Sequence, residues 1–421
     1  MSIWRINGGR QLCGSVRSQG SKNAALPIIA ASVICPCETE LLNCPRLRDI
    51  ETALDILRHL GCGVEREDDI VNIDSRKLCR CDIPERLMRE MRASVLFLGA
   101  LAARTGRAEI SAPGGCRIGK RPIDIHLSML GKLGYDVSDD GSRIVCSAGE
   151  LTGGEFELPY PSVGATENAM LAACAAKGRT VIHNAAREPE ISALGAFLTC
   201  MGADISGLGT GSISINGCRP SDRVGFRIPA DRIVTATQLC AVAACGGSAE
   251  ISGAIASENE AVLDGLKRCG CEITGGGQKL SIRAPERLCS AGLIATRPFP
   301  GFPTDAQPLM MAASLRSAGS TIFIENIFEN RYMHAHEFRK LGASVQTEGR
   351  VALVTGTPQL HGSEMRASDL RGGAGLVIAA MSAQGQSLVV DDGEYIARGY
   401  EDISALFSGL GADIEPWNMK G

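Results

Sequence analysis

One unit of about 70 residues recurs six times along this 421-residue chain, and the repeat limits the fold more than any other feature. Its marker is a Leu-Gly-like pair that ends a helix-like segment before a β-prone segment. Successive glycines of these pairs are 73, 68, 68, 72 and 69 residues apart. The pairs are Leu60-Gly61, Leu133-Gly134, Met201-Gly202, Cys269-Gly270, Leu341-Gly342 and Leu410-Gly411. Six units of this length account for the whole chain, which predicts six copies of one structural unit.

Each unit has the same internal order. It opens with a segment that is apolar on most faces, which predicts a buried helix. The six segments are NAALPIIAASV, ASVLFLGALAA, TENAMLAACAA, VTATQLCAVAA, DAQPLMMAASL and RGGAGLVIAAM. A short strand such as RAEISAP follows, then an amphipathic helix whose final glycine is a natural C-cap. A hairpin-like stretch such as YDVSDDGSRIVCSAG closes the unit.

The length of the unit decides between two repeat architectures. Solenoid repeats are typically about 20 to 50 residues with one or two elements each. A longer unit with two helices and several strands is a small subdomain, and three of them can enclose their buried helices behind an outer layer. We therefore expect two lobes of three units each. Ligand clefts favour domain interfaces, so we expect the site between the lobes.

Charge and composition exclude several classes of protein. Lys and Arg number 43 and Asp and Glu 47, and this near balance excludes a globally basic nucleic-acid binder. The longest apolar run, Ala24 to Cys37, is shorter than the about 20 residues of a membrane span. The N-terminus MSIWRINGG has no apolar signal segment. We expect a cytoplasmic protein with neither nucleic-acid nor membrane partners.

The 17 cysteines point to a reducing compartment. Their number is odd, and their close pairs have CxC spacing with no histidine near them in sequence. This is not a zinc pattern, so we expect no metal site.

A glycine-rich segment at 111 to 124, SAPGGCRIGKRPID, contains the cysteine with the clearest chemical context. Cys116 lies among Arg117, Lys120 and Arg121, and nearby cations stabilise a thiolate and lower the pKa of the thiol. Such a group suits proton transfer or nucleophilic work. The alternative is an inert filler thiol beside a solvated basic loop, which remains our interpretation of Arg117 and Lys120.

Further blocks of residues complete a recognisable set. They are GSKNAALP at 20 to 27, RAS at 92 to 94, PGGCRIGKRPID at 113 to 124, SVGATEN at 162 to 168, NAAREPEI at 184 to 191, FPTDAQ at 302 to 307, FENRYMH at 328 to 334, SDLR at 368 to 371 and RGYE at 398 to 401. In this order and spacing, the chain resembles the UDP-N-acetylglucosamine 1-carboxyvinyltransferase family from end to end. This family of UDP-N-acetylglucosamine enolpyruvyl transferases belongs to the enolpyruvyl transferase superfamily.

The resemblance implies an α/β fold with two lobes, each an inside-out α/β barrel of three βαβαββ repeats. In this family the first strand crosses into the C-terminal lobe. The N-terminal lobe, which carries the Cys116 loop, is then expected at 22–230 and the other at 1–21 plus 231–421.

The implied reaction is transfer of enolpyruvate from phosphoenolpyruvate to the 3′-hydroxyl of UDP-N-acetylglucosamine, with release of phosphate. This is the first committed step of peptidoglycan precursor synthesis, and it needs no cofactor. Both substrates are therefore the expected partners, and we expect a monomer.

The resemblance also implies roles for individual residues. The phosphate and carboxylate of the donor need cations, and arginine forks suit both groups; the matching residues are Lys22, Arg92, Arg121, Arg331, Arg371 and Arg398. Cys116 matches the general acid, and Asp305 matches the residue that takes the hydroxyl proton. Asp369 matches an active-site carboxylate and Asn23 a polar substrate contact. Family contacts to the nucleotide sugar match Arg121, Pro122, Ile123, Asp124, Ile125, Ser162, Val163, Gly164 and Ile327.

Structural alternatives exist for several of these residues. Asp305 could be the N-cap of the helix in DAQPLMMAASL, and Ser162 an ordinary N-cap. A lone arginine most often forms a surface salt bridge.

The chain also departs from the family pattern. Val234 follows Asp-Arg-Ile where the family has an acid, and Tyr160 stands where many members have Lys. Ala397 removes a carboxylate beside Arg398.

Two other functions are alternatives to the one that the resemblance implies. One is 5-enolpyruvylshikimate-3-phosphate synthase, which lacks the PGGC and NAAREPEI blocks. The other is a catalytically weak paralogue with a regulatory role.

Overall fold

The computed structural model describes residues 1–111, 123–218 and 222–417, and these residues form two compact units. The N-terminal unit contains residues 20–111, 123–218 and 222–229, and the C-terminal unit contains residues 1–19 and 230–417. The expected lobes at 22–230 and at 1–21 plus 231–421 stay a prediction. Cys116, Arg121 and Pro122 lie outside the described residues.

The described residues contain 24 strands and 13 α-helices. The strands are β1 Ser2–Gly8, β2 Leu12–Arg17, β3 Glu38–Leu42, β4 Gly63–Glu67, β5 Ile70–Asp74, β6 Asp82–Ile83, β7 Arg107–Ser111, β8 Tyr135–Asp139, β9 Arg143–Ala148, β10 Glu155–Glu157, β11 Arg179–His183, β12 Ala203–Ser206, β13 Ser212–Cys218, β14 Arg223–Arg227, β15 Gly247–Ser252, β16 Glu272–Gly276, β17 Lys279–Ala284, β18 Leu293–Ala295, β19 Ser320–Ile324, β20 Ser344–Glu348, β21 Val351–Thr355, β22 Glu364–Arg366, β23 Gly385–Asp391 and β24 Asp413–Pro416. The helices are α1 Lys22–Ala31, α2 Arg48–His59, α3 Glu85–Glu90, α4 Leu96–Thr105, α5 Asp124–Lys132, α6 Val163–Ala173, α7 Pro189–Cys200, α8 Arg232–Cys245, α9 Glu260–Arg268, α10 Gln307–Ser314, α11 His334–Lys340, α12 Leu370–Ser382 and α13 Ile403–Ser408.

The strands form six four-stranded sheets with one common topology across the described residues. In each sheet a short edge strand runs parallel to its neighbour, and the other two pairings are antiparallel. A parallel pair needs a crossover, and in four of the sheets the buried helix of the unit, α4, α6, α10 or α12, provides it. In the other two sheets the parallel edge strand comes from a distant part of the chain. The six βαβαββ repeats are thus confirmed. The sheets stay separate, and no continuous barrel of strands closes within the described residues.

Three of the sheets are completed by strands that are remote in sequence. β14 pairs in parallel with β3 in the N-terminal unit, and β2 pairs in parallel with β15 in the C-terminal unit. β1 lies between β23 and β24, with Ser2 opposite Asp391 and Gly8 opposite Gly385. The start of the chain therefore completes two sheets of the C-terminal unit.

The helices that open the repeats form the interior of each unit. In the C-terminal unit α8, α10 and α12 pack on one another, and nearly all of their residues are buried. In the N-terminal unit α4 packs against α1 and α6. Helices that are apolar all round are stable only when surrounded, so the sheets and amphipathic helices lie outside them. No helix among the described residues is long and apolar enough to cross a membrane.

The six marker glycines have one backbone conformation. Their φ angles lie between 86° and 98°, in the region that side chains of L-residues rarely adopt. They are Gly61, Gly134, Gly202, Gly270, Gly342 and Gly411. A glycine is therefore needed where each amphipathic helix ends and the chain turns toward the next strand.

Candidate active site

Two carboxylates and two guanidinium groups form a compact cluster in the C-terminal unit. Nη2 of Arg331 lies 3.1 Å from Oδ1 of Asp305, and Nε of Arg371 lies 3.4 Å from Oδ2 of the same carboxylate. Nη1 of Arg331 also lies 3.5 Å from Oδ1 of Asp369. Both arginine side chains are only 2% exposed, whereas that of Asp305 is 30% exposed. The arginines are therefore buried counter-charges, and the carboxylate of Asp305 remains reachable.

The backbone at the start of α12 fixes one side of this cluster. Asp369 is the N-cap of α12, because its Oδ1 accepts hydrogen bonds from the backbone N–H groups of Arg371 and Gly372. Its other carboxylate oxygen is buried and has no hydrogen bond within the described part of the chain. A Cβ on Gly372 would lie 2.5 Å from that oxygen, so only glycine leaves room for it.

Asp305 does not cap a helix, and the N-cap interpretation of this residue is wrong. It lies in a 3₁₀ turn, Thr304–Ala306, and the N-cap of α10 is Ala306, which makes no side-chain capping bond. The carboxylate of Asp305 instead contacts the guanidinium groups of Arg331 and Arg371. Such charge-assisted hydrogen bonds are stronger than a capping hydrogen bond from a neutral N–H.

Tyr400 holds the second arginine from its other side. Its hydroxyl oxygen accepts a hydrogen bond of 3.2 Å from Nη1 of Arg371 and lies 2.8 Å from Oγ1 of Thr237. The Thr237 hydroxyl donates to the carbonyl of Ile233, so the Tyr400 hydroxyl donates to Thr237. Burial raises the pKa of Tyr400, which therefore stays protonated. Burial lowers the pKa of the Arg371 guanidinium, but Tyr400 and the carboxylates of Asp305 and Asp231 outweigh it and raise that pKa above its ordinary value.

Glu325 was not predicted from the sequence, and it organises the turn next to the cluster. Its buried carboxylate accepts hydrogen bonds from the backbone N–H groups of Ile327 and Phe328 at 2.8 and 3.0 Å. It also accepts one from the hydroxyl of Thr304 at 3.1 Å. Glu325 therefore ties Ile327, an expected nucleotide contact, to the turn that carries Asp305.

His334 was missed as well, although it lies inside the FENRYMH block. Its imidazole is fully buried beside Arg331 and Asp369, and neither ring nitrogen has a hydrogen bond within the described residues. Burial lowers the pKa of His334 to about 4, with Arg331 adding to the effect and Asp369 opposing it. The ring is thus neutral around pH 7, and it makes an edge-on contact with Phe338.

Lys22 begins α1 in the N-terminal unit and belongs to a second polar cluster. Ser21 caps the helix, and Nζ of Lys22 lies 3.3 Å from Oδ2 of Asp49 in a nearly buried ion pair. Asn23 follows it on the first turn and is half-buried. Arg92 opens a 3₁₀ turn, Arg92–Val95, that leads directly into α4.

The start of α6 combines a helix cap with exposed backbone donors. Ser162 is the N-cap, as its alternative interpretation predicts, and its hydroxyl accepts the N–H of Ala165 at 3.4 Å. The N–H groups of the first turn have no acceptor inside a helix, so those of Val163 and Gly164 suit anionic oxygens. The cap and a phosphate contact are therefore compatible at this position.

The remaining expected contacts fall at element ends. Ile123 precedes α5, while Asp124 and Ile125 form its first turn, and all three are at least partly exposed. Arg398 ends a 3₁₀ turn, Ile396–Arg398, in the C-terminal unit and is half-buried. Among the described residues no group of three His, Cys, Asp or Glu side chains could hold a metal ion.

A third feature that was not predicted from the sequence is a buried carboxyl group on α6. Glu167 is enclosed, and burial, followed by the charges of Glu190 and Glu188, raises its pKa well above the ordinary value. It is therefore held in its neutral form more readily than an exposed glutamate. Glu167 lies inside the SVGATEN block, and Glu188 and Glu190 lie inside the NAAREPEI block. Membership of these two blocks was the sequence signal that could have found this group.

Comparison with known proteins places this arrangement in a family. The family model described as EPSP synthase (3-phosphoshikimate 1-carboxyvinyltransferase) matches residues 6–406. The chain is 43% identical over 414 residues to UDP-N-acetylglucosamine 1-carboxyvinyltransferase 2 of Caldanaerobacter subterraneus subsp. tengcongensis, covering 98% of this chain and 99% of that one. It is 41% identical to UDP-N-acetylglucosamine 1-carboxyvinyltransferase of Halothermothrix orenii, with the same coverage.

Solved structures agree on the fold. The enolpyruvyl transferase NikO from Streptomyces tendae superposes with a TM-score of 0.87 at 24% identity, covering 99% of both chains. EPSP synthase from Acinetobacter baumannii superposes with a TM-score of 0.76 at 17% identity, covering 99% of this chain and 100% of that one. The sequence relatives and the shared fold lead to one conclusion: this chain belongs to the enolpyruvyl transferases, in the family of the UDP-N-acetylglucosamine 1-carboxyvinyltransferases.

Proposed function

We propose that this chain transfers enolpyruvate from phosphoenolpyruvate to the 3′-hydroxyl of UDP-N-acetylglucosamine and releases phosphate. The curated relatives carry the name of this activity at 40% to 43% identity over nearly the whole chain. The observation that carries the proposal is the pairing of a partly exposed Asp305 with two buried arginines, Arg331 and Arg371. It presents a fixed base beside fixed cations.

The donor brings a phosphate and a carboxylate, so its site needs several cations. Asp369 contacts Arg331, and Tyr400 accepts a hydrogen bond from Arg371. These contacts orient the two guanidinium planes before substrate binds. Nη2 of Arg371 is buried and makes no hydrogen bond with described residues, so it is available to an anionic oxygen. Lys22, Arg92, Arg121 and Arg398 complete the proposed set of cations.

The chemistry requires two proton transfers. In the addition step the 3′-oxygen bonds to C2 of phosphoenolpyruvate while the methylene carbon C3 gains a proton. We assign the proton donor to Cys116 and the acceptor of the hydroxyl proton to Asp305. In the elimination step the bond from C2 to the phosphate oxygen breaks, C3 loses a proton, and the double bond is restored. Both oxygens of Asp305 contact guanidinium groups, which holds the base in a fixed orientation for this work.

Asp369 acts mainly on the cations in this proposal. Its Oδ1 caps α12 and contacts Arg331, so its charge fixes the helix start and one guanidinium together. The nucleotide sugar is assigned to Asn23, Ile327, the first turn of α6 at Ser162, Val163 and Gly164, and the residues Arg121, Pro122, Ile123, Asp124 and Ile125.

The test is steady-state release of phosphate from phosphoenolpyruvate with two acceptors. We expect turnover with UDP-N-acetylglucosamine and none with shikimate 3-phosphate. Turnover with shikimate 3-phosphate alone would show the rival synthase, and no turnover with either acceptor would favour the regulatory paralogue.

The cellular role follows from the same proposal. The reaction is the first committed step of peptidoglycan precursor synthesis and would serve cell-wall formation, cell shape and division in the cytoplasm. We propose a monomeric enzyme and a target of fosfomycin at Cys116.

A further inference from the structure

Three elements of the N-terminal unit meet at the side chain of Asn168. This residue lies on α6 and is almost fully buried. Its Oδ1 accepts the backbone N–H of Gly99 at 2.8 Å, and its Nδ2 donates to the carbonyl of Val95 at 3.0 Å. A Cβ on Gly99 would lie 2.3 Å from that Oδ1, so α4 can approach the amide only through a glycine.

These two backbone contacts determine which way the amide faces. A backbone N–H needs an acceptor and a backbone carbonyl needs a donor, so the oxygen and nitrogen of Asn168 cannot be exchanged. The second hydrogen of Nδ2 is then directed at Nδ1 of His126, 3.1 Å away. Nδ1 must therefore carry a lone pair, and a neutral imidazole in this position carries its proton on Nε2.

The Nε2 side of His126 lies at the start of α6. A Cβ on Gly164 would stand 3.0 Å from Cε1 and 3.3 Å from Nε2 of the ring. His126 is 8% exposed, and the hydrogen bond of its ring within the described residues is the one at Nδ1. The ring nitrogen without a described partner thus lies beside the same first turn that offers the N–H groups of Val163 and Gly164.

We infer that Asn168 is a positioning residue that holds His126 as the Nε2–H tautomer, and that His126 binds phosphoryl oxygens of the nucleotide sugar at the start of α6. This inference rests on the proposed function, because the nucleotide sugar supplies the diphosphate. The ligand chemistry follows from the donors: the Nε2–H group lies beside two backbone N–H groups at one helix N-terminus, which attracts anions.

The surroundings of His126 favour a neutral donor over a cation. The pKa of this imidazole is lowered to about 4, first by burial and then by the charge of the nearby Arg92, while Asp124 opposes the shift. A neutral ring can still donate one hydrogen bond, provided that its proton is on the nitrogen that faces the ligand. The contact from Asn168 supplies this condition without adding a charge to the site.

The first experiment reads the tautomer directly. The protein is labelled with ¹⁵N-histidine, and His126→Phe identifies the resonance of His126 among the six histidines. At about pH 8 a neutral ring is expected, with the proton on Nε2 and a bare Nδ1. Asn168→Asp supplies an acceptor in place of the amide donor, so the proton should move to Nδ1. A parent resonance with the proton on Nδ1 would overturn the inference, whatever the enzyme does with substrates.

The second experiment reads binding by calorimetry with UDP-N-acetylglucosamine, UDP and uridine, and also by kinetics. His126→Phe keeps the ring shape and removes the donor, and it should weaken UDP and nucleotide-sugar binding about 10- to 100-fold. Uridine binding should not change, because uridine lacks phosphates. His126→Gln retains an N–H donor and should recover most of the affinity. In turnover, the KM for the nucleotide sugar should rise with kcat nearly unchanged, as expected for uniform binding.

The controls separate this inference from the proposed function and from misfolding. Asn259→Asp alters a similarly buried amide in the C-terminal unit, whose Nδ2 donates to the carbonyl of Ile255, and should leave nucleotide affinity unchanged. If the parent does not bind UDP-N-acetylglucosamine, the proposed function fails. If the parent binds and turns over UDP-N-acetylglucosamine, and His126→Phe and Asn168→Asp bind it equally well, the proposed function stands and the inference is wrong.

Discussion

The hydroxyl of Tyr400 offers a clean test of how the buried cations are held in place. Tyr400→Phe removes this group and leaves the ring, whose centre lies 5.5 Å from the guanidinium carbon of Arg371. The variant loses the hydrogen bond from Nη1 of Arg371 at 3.2 Å and the one to Thr237 at 2.8 Å. The guanidinium then keeps only its 3.4 Å contact with Asp305 among these partners.

The size of the effect follows from burial. Tyr400 is 2% exposed, so water cannot replace the lost partner. A hydrogen bond to a charged group contributes about 1.5–3 kcal/mol, and a neutral one contributes about 1 kcal/mol. We expect the free energy of unfolding of Tyr400→Phe to fall by about 2–3 kcal/mol, because part of the loss is recovered by local relaxation. The looser guanidinium should raise the KM for phosphoenolpyruvate about tenfold, with a smaller change in kcat.

Tyr135→Phe is the matched control in the other unit. Tyr135 is 4% exposed, and its hydroxyl donates a single hydrogen bond of 3.3 Å to the carbonyl of Ala172. This variant should lose about 1 kcal/mol in urea unfolding and keep the parent KM for phosphoenolpyruvate. Equal losses of stability in the two variants, or an unchanged KM in Tyr400→Phe, would refute the view that this hydroxyl orients Arg371.

Three further predictions concern buried ionisable groups and the catalytic thiol. Because the pKa of His334 is about 4 in the folded chain, protons bind the unfolded chain first, and stability is lost as pH falls from about 6.5 to about 4. His334→Leu should flatten this part of the urea-unfolding profile, and an unchanged profile would contradict a buried neutral ring. The raised pKa of Glu167 has the opposite sign: stability falls as pH rises above the ordinary pKa, so Glu167→Gln should be about 1–2 kcal/mol more stable than the parent at pH 7 and similar at pH 4. Equal stability of the two proteins at pH 7 would count against this. Fosfomycin should alkylate Cys116 first in peptide mapping, Cys116→Asp should stay active and resist the drug, and Cys116→Ala should lose about 10²–10⁴-fold in turnover. Earlier labelling of another cysteine would argue against this role, and the exposed competitors in the described residues are Cys13, Cys79, Cys200 and Cys289.

Much of the fold could be predicted because the decisive signals are local. The apolar segments became the interior helices, and every marker glycine adopts the positive φ that its position after a helix requires. The edge strands are different. β6 has only two residues, Asp82–Ile83, and β2 pairs with β15, Gly247–Ser252, from the middle of the sequence. Neither produces a periodic pattern, so the fourth strand of each sheet came from the family resemblance and not from the residues.

The candidate site also contains residues that local sequence signals predict and residues that they do not. Arginines and aspartates inside recognisable motifs could be named, and Asp305, Arg331, Asp369 and Arg371 do meet in the structure. The residues that support them could not be named from the sequence, because packing between elements that are distant in sequence brings these residues to the site. Glu325 reaches the site through a turn after β19, and nothing in its neighbourhood sets it apart from a surface glutamate. His334, Tyr400 and Asn168 stood inside quoted blocks, so motif membership was the signal that could have found them.

The repeat itself accounts for where the site residues lie. Nine of the eighteen expected site residues lie at or just before the N-terminus of one of the helices that open the six repeats. Lys22 starts α1, Arg92 precedes α4, Ser162 caps α6, Asp305 precedes α10, and Asp369 with Arg371 starts α12.

The α8 repeat follows the same rule through Asp231, which caps that helix and acts electrostatically on Arg371. The starts of α8, α10 and α12 therefore bear on one guanidinium within the C-terminal unit. A helix N-terminus is the end that favours anions, and both proposed substrates carry phosphate. One structural unit, copied six times, thus supplies an anion-attracting position in each copy. The glycine spacing that reveals the repeat indicates where in each unit a functional residue should be sought.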